Sequence, residues 1–178
     1  MFDSNPYTAP EAALGATPAE KPYDKRYDGL GGWLILIGIG TALSPFQMLR
    51  QLITASRSAF SNGTWEAVTT AGSAAYHPFW GPFLILEIAY TAICFLVTVY
   101  MAFLFFGKKR AYPTWFIWFH LVTLVFMIVD AVLLQVVRPD LPLIDGTGMG
   151  EIARALFGCF VWIPYMLIST RVESTFRR

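Results

Sequence analysis

The sequence predicts an all-α integral membrane protein, a four-helix bundle with a short interfacial helix in the first outside loop. Of its 178 residues, 56% are hydrophobic and only 14% are charged, whereas about a quarter of the residues in an average soluble domain are charged. The apolar residues form four runs, each close to the roughly 20 residues that span a bilayer. The runs show no alternation of apolar and polar residues, which excludes a β-barrel, so each run must be helical.

The four runs predict membrane-spanning helices at about 32–53, 80–106, 113–137 and 152–170 within a domain of residues 29–178. Pro45 and Pro164 fall inside the first and fourth helices, where proline frees backbone carbonyls and bends the helix. Each bend serves either packing or a hinge, and the sequence does not separate the two.

The two segments outside the apolar runs at the start of the chain differ in character. Residues 1–28 combine four prolines with mixed charge and lack an apolar core, which is typical of a disordered cytoplasmic tail, either a plain leader or a partner-docking segment. In the first outside loop, Asn62-Gly63 is a turn signal, and Thr64 can cap a short helix through Val68. Aromatic residues of the kind that collects at the headgroup level flank this helix: Trp65, Tyr76 and Trp80.

The distribution of Lys and Arg predicts the orientation. Nine of these residues lie before the first helix, between the second and third, or after the fourth: Lys21, Lys25, Arg26, Lys108, Lys109, Arg110, Arg171, Arg177 and Arg178. Only four lie on the other side: Arg50, Arg57, Arg138 and Arg154. The positive-inside rule therefore places both termini in the cytoplasm.

Each predicted helix carries one stripe of polar or small residues at steps of three or four, and residues at such steps share a face. The stripes are Gly40, Ser44, Gln47 and either Arg50 or Gln51 on the first helix; Glu87, Tyr90, Cys94, Thr98 and Met101 on the second; His120, Thr123, Met127 and Asp130 on the third; and Glu151, Arg154, Gly158, Trp162, Tyr165 and Ser169 on the fourth. If the stripes face inward, the bundle has a polar seam.

A cluster of charged side chains is expected in the outer half of this seam. Glu87 and Asp130 each lie seven residues from the outer end of a helix, which is roughly 10 Å deep at about 1.5 Å per residue. Arg154 lies only about one turn from the start of its helix, but its long side chain can reach the two acids. Gln47 and Arg50 come to a similar level, so the candidate cluster of two acids and two arginines is charge-balanced.

Three roles are open for this cluster. Charge at a helix centre costs about 2.5 to 3.5 kcal/mol and often marks a site, which favours a solute or proton site open to the outside. Interhelical hydrogen bonds can instead serve only packing, at about 0.6 kcal/mol each on average. A catalytic carboxylate pair is the weakest alternative, because no nucleophile or metal-ligand set accompanies it. The secondary candidates are His120 and Tyr165, and we expect no cofactor, metal site or disulfide between Cys94 and Cys159.

Several strings from residue 29 to the end resemble one bacterial family. They are Gly31-Gly32-Trp33-Leu34-Ile35-Leu36, Leu43-Ser44-Pro45, Ala75-Tyr76-His77-Pro78-Phe79-Trp80, Trp162-Ile163-Pro164-Tyr165, Ser169, Arg171-Val172 and Thr175-Phe176. The chain is similar to the domain-of-unknown-function family twenty-five sixty-nine (DUF2569), small four-span proteins of the bacterial inner membrane. The resemblance implies four helices and that location, and it implies no established activity, catalytic residue or cofactor.

The favoured hypothesis is therefore a structural or interaction module of the inner membrane. Its partners would be the lipid bilayer, a membrane or cytoplasmic protein or a second copy, and no nucleic acid. The alternative is transport or sensing of a small solute or proton through the polar seam. Four helices without an internal repeat are few to enclose a transport path, which weakens the transport hypothesis. We do not expect an enzyme.

Overall fold

The computed structural model describes residues 31–61, 63–137 and 146–177. All regular secondary structure in these ranges is helical, in the order α1 (Trp33–Phe60), α2 (Thr64–Thr69), α3 (Trp80–Phe106), α4 (Tyr112–Val137), α5 (Gly146–Ile168) and α6 (Thr170–Thr175). The predicted tail at residues 1–28, Asn62 of the turn signal, and Arg138 and Arg178 of the orientation argument lie outside the described residues.

Four of these helices, α1, α3, α4 and α5, are long and apolar enough to cross a membrane. The prediction of an all-α four-helix membrane bundle is therefore confirmed. Successive long helices run in opposite directions, so the bundle has two ends. We call the end where α1 finishes and α3 begins the α2 end, and the end where α4 begins the Tyr112 end.

Two of the long helices extend past their apolar runs. The first helix was predicted to end at about residue 53 but continues to Phe60, and the fourth begins at Gly146 rather than at about residue 152. Hydropathy marks the part of a helix that lies in lipid, whereas the helix itself continues wherever its backbone hydrogen bonds do. Pro45 and Pro164 lie inside α1 and α5 without ending either helix.

The short helix predicted in the first loop is α2, but its cap differs from the prediction. Gly63, rather than Thr64, is the N-cap residue, and its φ of 71° lies in the left-handed region that glycine adopts without strain. Thr64 is the first helical residue. The ring centroid of Trp65 lies 5.2 Å from that of Phe60 at the end of α1, so α2 folds back against the helix that precedes it.

The largest buried apolar core lies at the Tyr112 end. Ten buried residues form it: Leu34, Ile37, Met101, Leu104, Phe105, Tyr112, Phe116, Met166, Val172 and Phe176. The ring of Phe176, which follows α6, stacks on that of Tyr112 at a centroid distance of 4.8 Å. The Ser169 side chain accepts a hydrogen bond from the backbone N–H of Val172 and so caps α6. The C-terminal segment therefore folds onto this end of the bundle.

The four long helices pack as two pairs. α1 packs extensively against α3, and α4 packs against α5, while the contact between α3 and α4 joins the pairs. Backbone contact between α1 and α5 is sparse. Their side chains meet near the Tyr112 end, where the ring centroids of Trp33 and Trp162 are 6.2 Å apart. The pairs are thus held together firmly at the Tyr112 end and more loosely toward the α2 end.

Candidate functional site

A cavity of about 700 Å³ lies between the two helix pairs, and all four long helices contribute to its lining. Such a volume lies within the range of small-molecule sites, about 300 to 1,000 Å³. We call this space the central cavity. Its wall combines aromatic and aliphatic side chains with polar and charged ones, which matches the composition of ligand sites.

Four charged side chains line the central cavity toward the α2 end: Glu87 on α3, Asp130 on α4, and Glu151 and Arg154 on α5. Glu87 and Asp130 are both half-buried. They are near enough for the charge of Asp130 to act on Glu87. The sequence therefore identified two acids that the fold brings together from different helices.

The two central acids have no ion-pair partner among the residues that the structure describes. The buried Oδ1 atom of Asp130 has no hydrogen-bond partner. Among the described residues, neither Glu87 nor Asp130 forms an ion pair within 4.0 Å. An unsatisfied buried polar atom is costly, so each such case in a native protein calls for an explanation, such as a water or ligand at the site.

The cavity was predicted to be charge-balanced, but the part of its lining that the structure describes is not. Arg154 does line it, but its side chain is exposed and forms no ion pair with Glu87 or Asp130 in the described structure. Glu151, one turn earlier on the same helix, adds a third carboxylate to the lining. Among the described lining residues, three carboxylates and one guanidinium give a formal charge of −2 when His120 is neutral.

The predicted contribution of α1 also needs correction. Gln47 and Arg50 are both exposed, and neither is among the cavity-lining residues. The α1 residues in the lining are Met48 and Gln51. The stripe on α1 allowed either Arg50 or Gln51 at its end, and these neighbours differ by about 100° around the helix. The structure places Gln51 on the cavity side.

The two secondary candidates separate in the structure. His120 lines the cavity, and its Nδ1 lies 2.8 Å from the backbone carbonyl oxygen of Phe116 one turn earlier. A side chain added at Gly158 would lie 3.8 Å from the His120 ring, so α5 approaches closely here. Tyr165 packs instead against the buried core of the Tyr112 end.

An aromatic wall between α3 and α4 was not predicted. The rings of Tyr90 and Phe126 stack at a centroid distance of 3.4 Å and an interplanar angle of 5°. The Tyr90 hydroxyl donates a hydrogen bond of 3.2 Å to the Thr123 hydroxyl oxygen. All three residues line the central cavity. Tyr90 and Thr123 stood on the predicted stripes, but spacing along one helix cannot indicate which residue on another helix it meets.

The cavity is closed toward the Tyr112 end by the buried core. The lining extends to Phe119, His120 and Trp162, and beyond them Phe116 and Tyr112 are buried. A hydrogen bond of 2.6 Å joins the hydroxyl groups of Thr41 and Tyr112 within this packed region. The described part of the chain therefore encloses a pocket with one closed end rather than a continuous channel.

A smaller cavity of about 310 Å³ lies beneath α2, between α1 and α3. Its lining includes Ala59, Val68 and Trp80, and it also includes Glu87. Glu87 therefore borders both this space and the central cavity. The carboxylate stands where a route from the α2 end to the central cavity would pass.

The described residues contain no group of three or more His, Cys, Asp or Glu side chains that could hold a metal ion. Cys94 and Cys159 are both free thiols. The Cys159 thiol lies 3.9 Å from the backbone carbonyl oxygen of His120, to which it donates a weak hydrogen bond. The described lining offers carboxylates, a guanidinium, an imidazole, an amide, a thiol, hydroxyl groups and aromatic rings.

Comparison with known proteins identified one family. The family model described as "Protein of unknown function (DUF2569)" matches residues 27–177. No curated protein matches the chain, and no solved structure matches it. The matched range contains all six helices and the whole central cavity.

Proposed function

Because the chain belongs to the DUF2569 family, as its sequence resemblance predicted, and that family carries no assigned activity, we propose a role from the cavity itself. The protein binds a small ligand that bears a positive charge between its four membrane helices. Binding serves transport or sensing, and no catalytic step is proposed.

The carboxylates of Glu87 and Asp130 form no ion pair within the described part of the chain, and this observation carries the proposal. If the acids served only packing, each carboxylate should be paired with a group on a neighbouring helix, because an unpaired charge in a low-dielectric environment has a high free-energy cost. Asp130 instead has a buried oxygen without a partner, and both acids line a space large enough for a ligand. A bound cation would supply the missing interactions.

The closed Tyr112 end supports binding in a pocket. A transporter would have to open that end in a second conformation, whereas a sensor would need only to pass a change from the pocket to the surface. α5 extends from Arg154 in the cavity to Ile168, and α6 with its buried Val172 follows directly. This connection supports a sensor in which α6, at the Tyr112 end, responds to the ligand.

A structural or interaction module is the second candidate function. The densely packed core at the Tyr112 end is the observation that favours it, because this core alone can hold the helices in register. A membrane or cytoplasmic protein, or a second copy, would then be the partner. In this case the acids contribute to stability and nothing else.

We further propose that the protein lies in the bacterial inner membrane with both termini in the cytoplasm. Arg110 donates a hydrogen bond of 2.6 Å from Nε to the backbone carbonyl oxygen of Arg177, so the basic α3–α4 connection and the C-terminus lie at one end. The positive-inside rule favours the cytoplasm for that end. The central cavity would then be reached from outside, through the α2 end.

Binding of organic cations to the purified protein tests the proposal. Ethanolamine and putrescine, added in turn to the protein in detergent, are expected to raise its unfolding temperature. A ligand at 100 times its Kd stabilises by about 2.7 kcal/mol. Acetate of the same ionic strength should have no such effect. Glu87→Gln and Asp130→Asn should abolish the shift while leaving the ligand-free protein folded.

Glu66→Gln is the matched control, since Glu66 is an exposed carboxylate on α2 outside the cavity lining. This variant should keep the full shift. If neither cation stabilises the wild type, and Glu87→Gln and Asp130→Asn lower its unfolding temperature, the structural role replaces ligand binding.

A further inference from the structure

The central cavity reaches the lipid-facing side of the bundle between α1 and α5. Met48 and Phe157 line the cavity near the middle of these two helices. Phe157 is 64% exposed, so this residue borders both the cavity and the outer surface of the bundle. Because α1 and α5 have sparse backbone contact and their tryptophans meet only near the Tyr112 end, the boundary beside Phe157 is the place where an acyl chain can leave the cavity, and we call it the α1–α5 opening.

The surface beside this opening is apolar. Phe160 and Val161 follow Phe157 at steps of three and four on α5, so the three side chains share a face, and Phe160 is 76% exposed. In a membrane this face meets acyl chains rather than water. A ligand that occupies the opening must therefore be apolar there, although the deeper wall of the cavity is charged.

The charged part of the wall carries both signs. Arg154 and the acids Glu87 and Asp130 line one cavity without pairing with one another. The guanidinium of arginine suits a phosphate, which it can bind through two parallel hydrogen bonds. A primary ammonium group has three N–H donors, which suit two carboxylates. A zwitterionic ligand with both groups would satisfy all three side chains.

The depth of Arg154 matches the phosphate of a lipid. It lies four residues into the apolar stretch Gly150–Ile168 of α5, which is about 6 Å at 1.5 Å per residue. An arginine at such a depth extends its side chain toward the headgroup region. The phosphate of a phospholipid therefore lies within its reach, while the acyl chains extend toward the bilayer centre past Phe157, which lies three residues deeper on α5.

We infer that the ligand of the central cavity is a zwitterionic phospholipid with a primary-amine headgroup, of the phosphatidylethanolamine class. Its ammonium group lies between Glu87 and Asp130, its phosphate binds Arg154, and its acyl chains leave between α1 and α5. This inference rests on the proposed binding function and names its ligand. It makes the site selective, because phosphatidylcholine has no N–H donor and phosphatidylglycerol has no cationic group.

Native mass spectrometry of the full-length protein tests the inference. The protein in detergent is mixed with equal amounts of dioleoyl phosphatidylethanolamine, phosphatidylcholine and phosphatidylglycerol, and the bound lipid is identified by mass. Phosphatidylethanolamine should be preferred by at least about tenfold, the ratio that about 1.4 kcal/mol of differential affinity gives. Glu87→Gln should remove most of this preference, whereas Arg154→Gln should weaken the binding of all three lipids, because each of them carries the phosphate.

The matched controls make the same changes of charge at residues that do not line the cavity. Glu66→Gln and Arg57→Gln alter exposed side chains outside the lining and should retain the wild-type preference. If the cavity variants do not fold, the selectivity of the wild type alone decides the question. Equal binding of the three lipids, a preference that the folded Glu87→Gln variant retains, or unchanged lipid binding by the folded Arg154→Gln variant would overturn the inference.

Soluble ligands distinguish this inference from the proposed function. If ethanolamine or glycerophosphoethanolamine stabilises the protein in a carboxylate-dependent way while phosphatidylethanolamine is not preferred, the lipid assignment fails and cation binding stands. If no soluble amine and no lipid binds at the carboxylates, both fail. A dimer that forms through the α1–α5 opening and excludes lipid would also overturn the lipid assignment.

Discussion

The hydroxyl oxygen of Tyr112 lies 2.6 Å from that of Thr41, and this hydrogen bond joins α4 to α1 inside the packed core of the Tyr112 end. Tyr112 is fully buried, and Thr41 is buried as well. Neither hydroxyl group can turn to water without opening the core. The bond therefore links the two helix pairs at the end where the cavity is closed.

Removal of one partner of this bond should destabilise the bundle. Tyr112→Phe keeps the ring that stacks on Phe176 but leaves the Thr41 hydroxyl unpaired, and Thr41→Val has the converse effect. Each change should cost about 1 to 3 kcal/mol, the usual penalty for an unsatisfied buried group. The double variant should show a coupling of about 0.6 kcal/mol, the average for such bonds in a membrane protein, and at most about 1.7 kcal/mol.

This coupling is measured by thermal or chemical unfolding in detergent micelles of the wild type, the two single variants and the double variant. Strictly additive effects would mean that the two hydroxyl groups do not interact in the folded protein.

The close approach of α1 and α3 at Gly38 gives a second prediction. A Cβ atom at Gly38 would lie 2.8 Å from the Phe105 ring, so Gly38→Ala forces a buried ring to move. We expect a loss of about 1 to 3 kcal/mol, typical of overpacking. Gly40→Ala is the matched control, because no described atom beyond its chain neighbours and the nearby backbone of its own helix lies within 4 Å of a Cβ atom added there, and it should leave the unfolding temperature unchanged or raise it slightly.

Phe105→Leu in the Gly38→Ala background should recover part of the lost stability, since the smaller side chain makes room for the new methyl group. If Gly38→Ala is as stable as Gly40→Ala, α1 and α3 do not pack as closely as described. Unfolding temperatures in the same detergent compare all three variants.

The proposed orientation predicts opposite labelling of the two ends. Ala71 is exposed at the α2 end, and Lys109 is exposed in the α3–α4 connection. In a background with Cys94→Ser and Cys159→Ala, a membrane-impermeant maleimide should label Ala71→Cys in intact spheroplasts. It should label Lys109→Cys only after the membrane is permeabilised. The reverse pattern would place the termini outside.

Hydropathy predicted the four spanning helices because the length of an apolar run is a property of one segment. It did not predict where α1 ends, since the polar residues from Thr54 to Ser58 can be helical in water as well as in lipid. It also did not predict α6 as a separate helix, although Ser169 is a residue type that commonly caps helices. Local sequence thus defines the spans better than their ends.

The candidate site was predicted in part, for a related reason. Helical spacing placed Glu87, Asp130, Arg154 and His120 on faces that do line one cavity. It could not decide between Arg50 and Gln51, because a shift of one residue turns the helix by about 100°. Nor could it show that Arg154 forms no ion pair with Glu87 or Asp130, since an ion pair depends on the distance between two helices, which the sequence of one helix does not determine.

The choice of Gln51 over Gln47 on α1 gives the last prediction. Both side chains are exposed, but only Gln51 lines the central cavity with its excess of carboxylates. In the cysteine-free background, Gln51→Cys should react faster with a positively charged methanethiosulfonate than with a negatively charged one. A tenfold difference corresponds to about 1.4 kcal/mol of electrostatic attraction. Gln47→Cys should show only the difference that the two reagents have toward a small thiol in solution.

Neutralisation of the acids identifies the source of this selectivity. Glu87→Gln with Asp130→Asn should bring the rate ratio at Gln51→Cys toward that at Gln47→Cys, while Glu66→Gln should leave it unchanged. Equal ratios at the two positions in the unneutralised background would contradict the placement of Gln51 in the cavity. A ratio that persists after neutralisation would assign the attraction to Glu151, which also lines the cavity, and would leave Glu87 and Asp130 without an effect on solutes that enter from the α2 end.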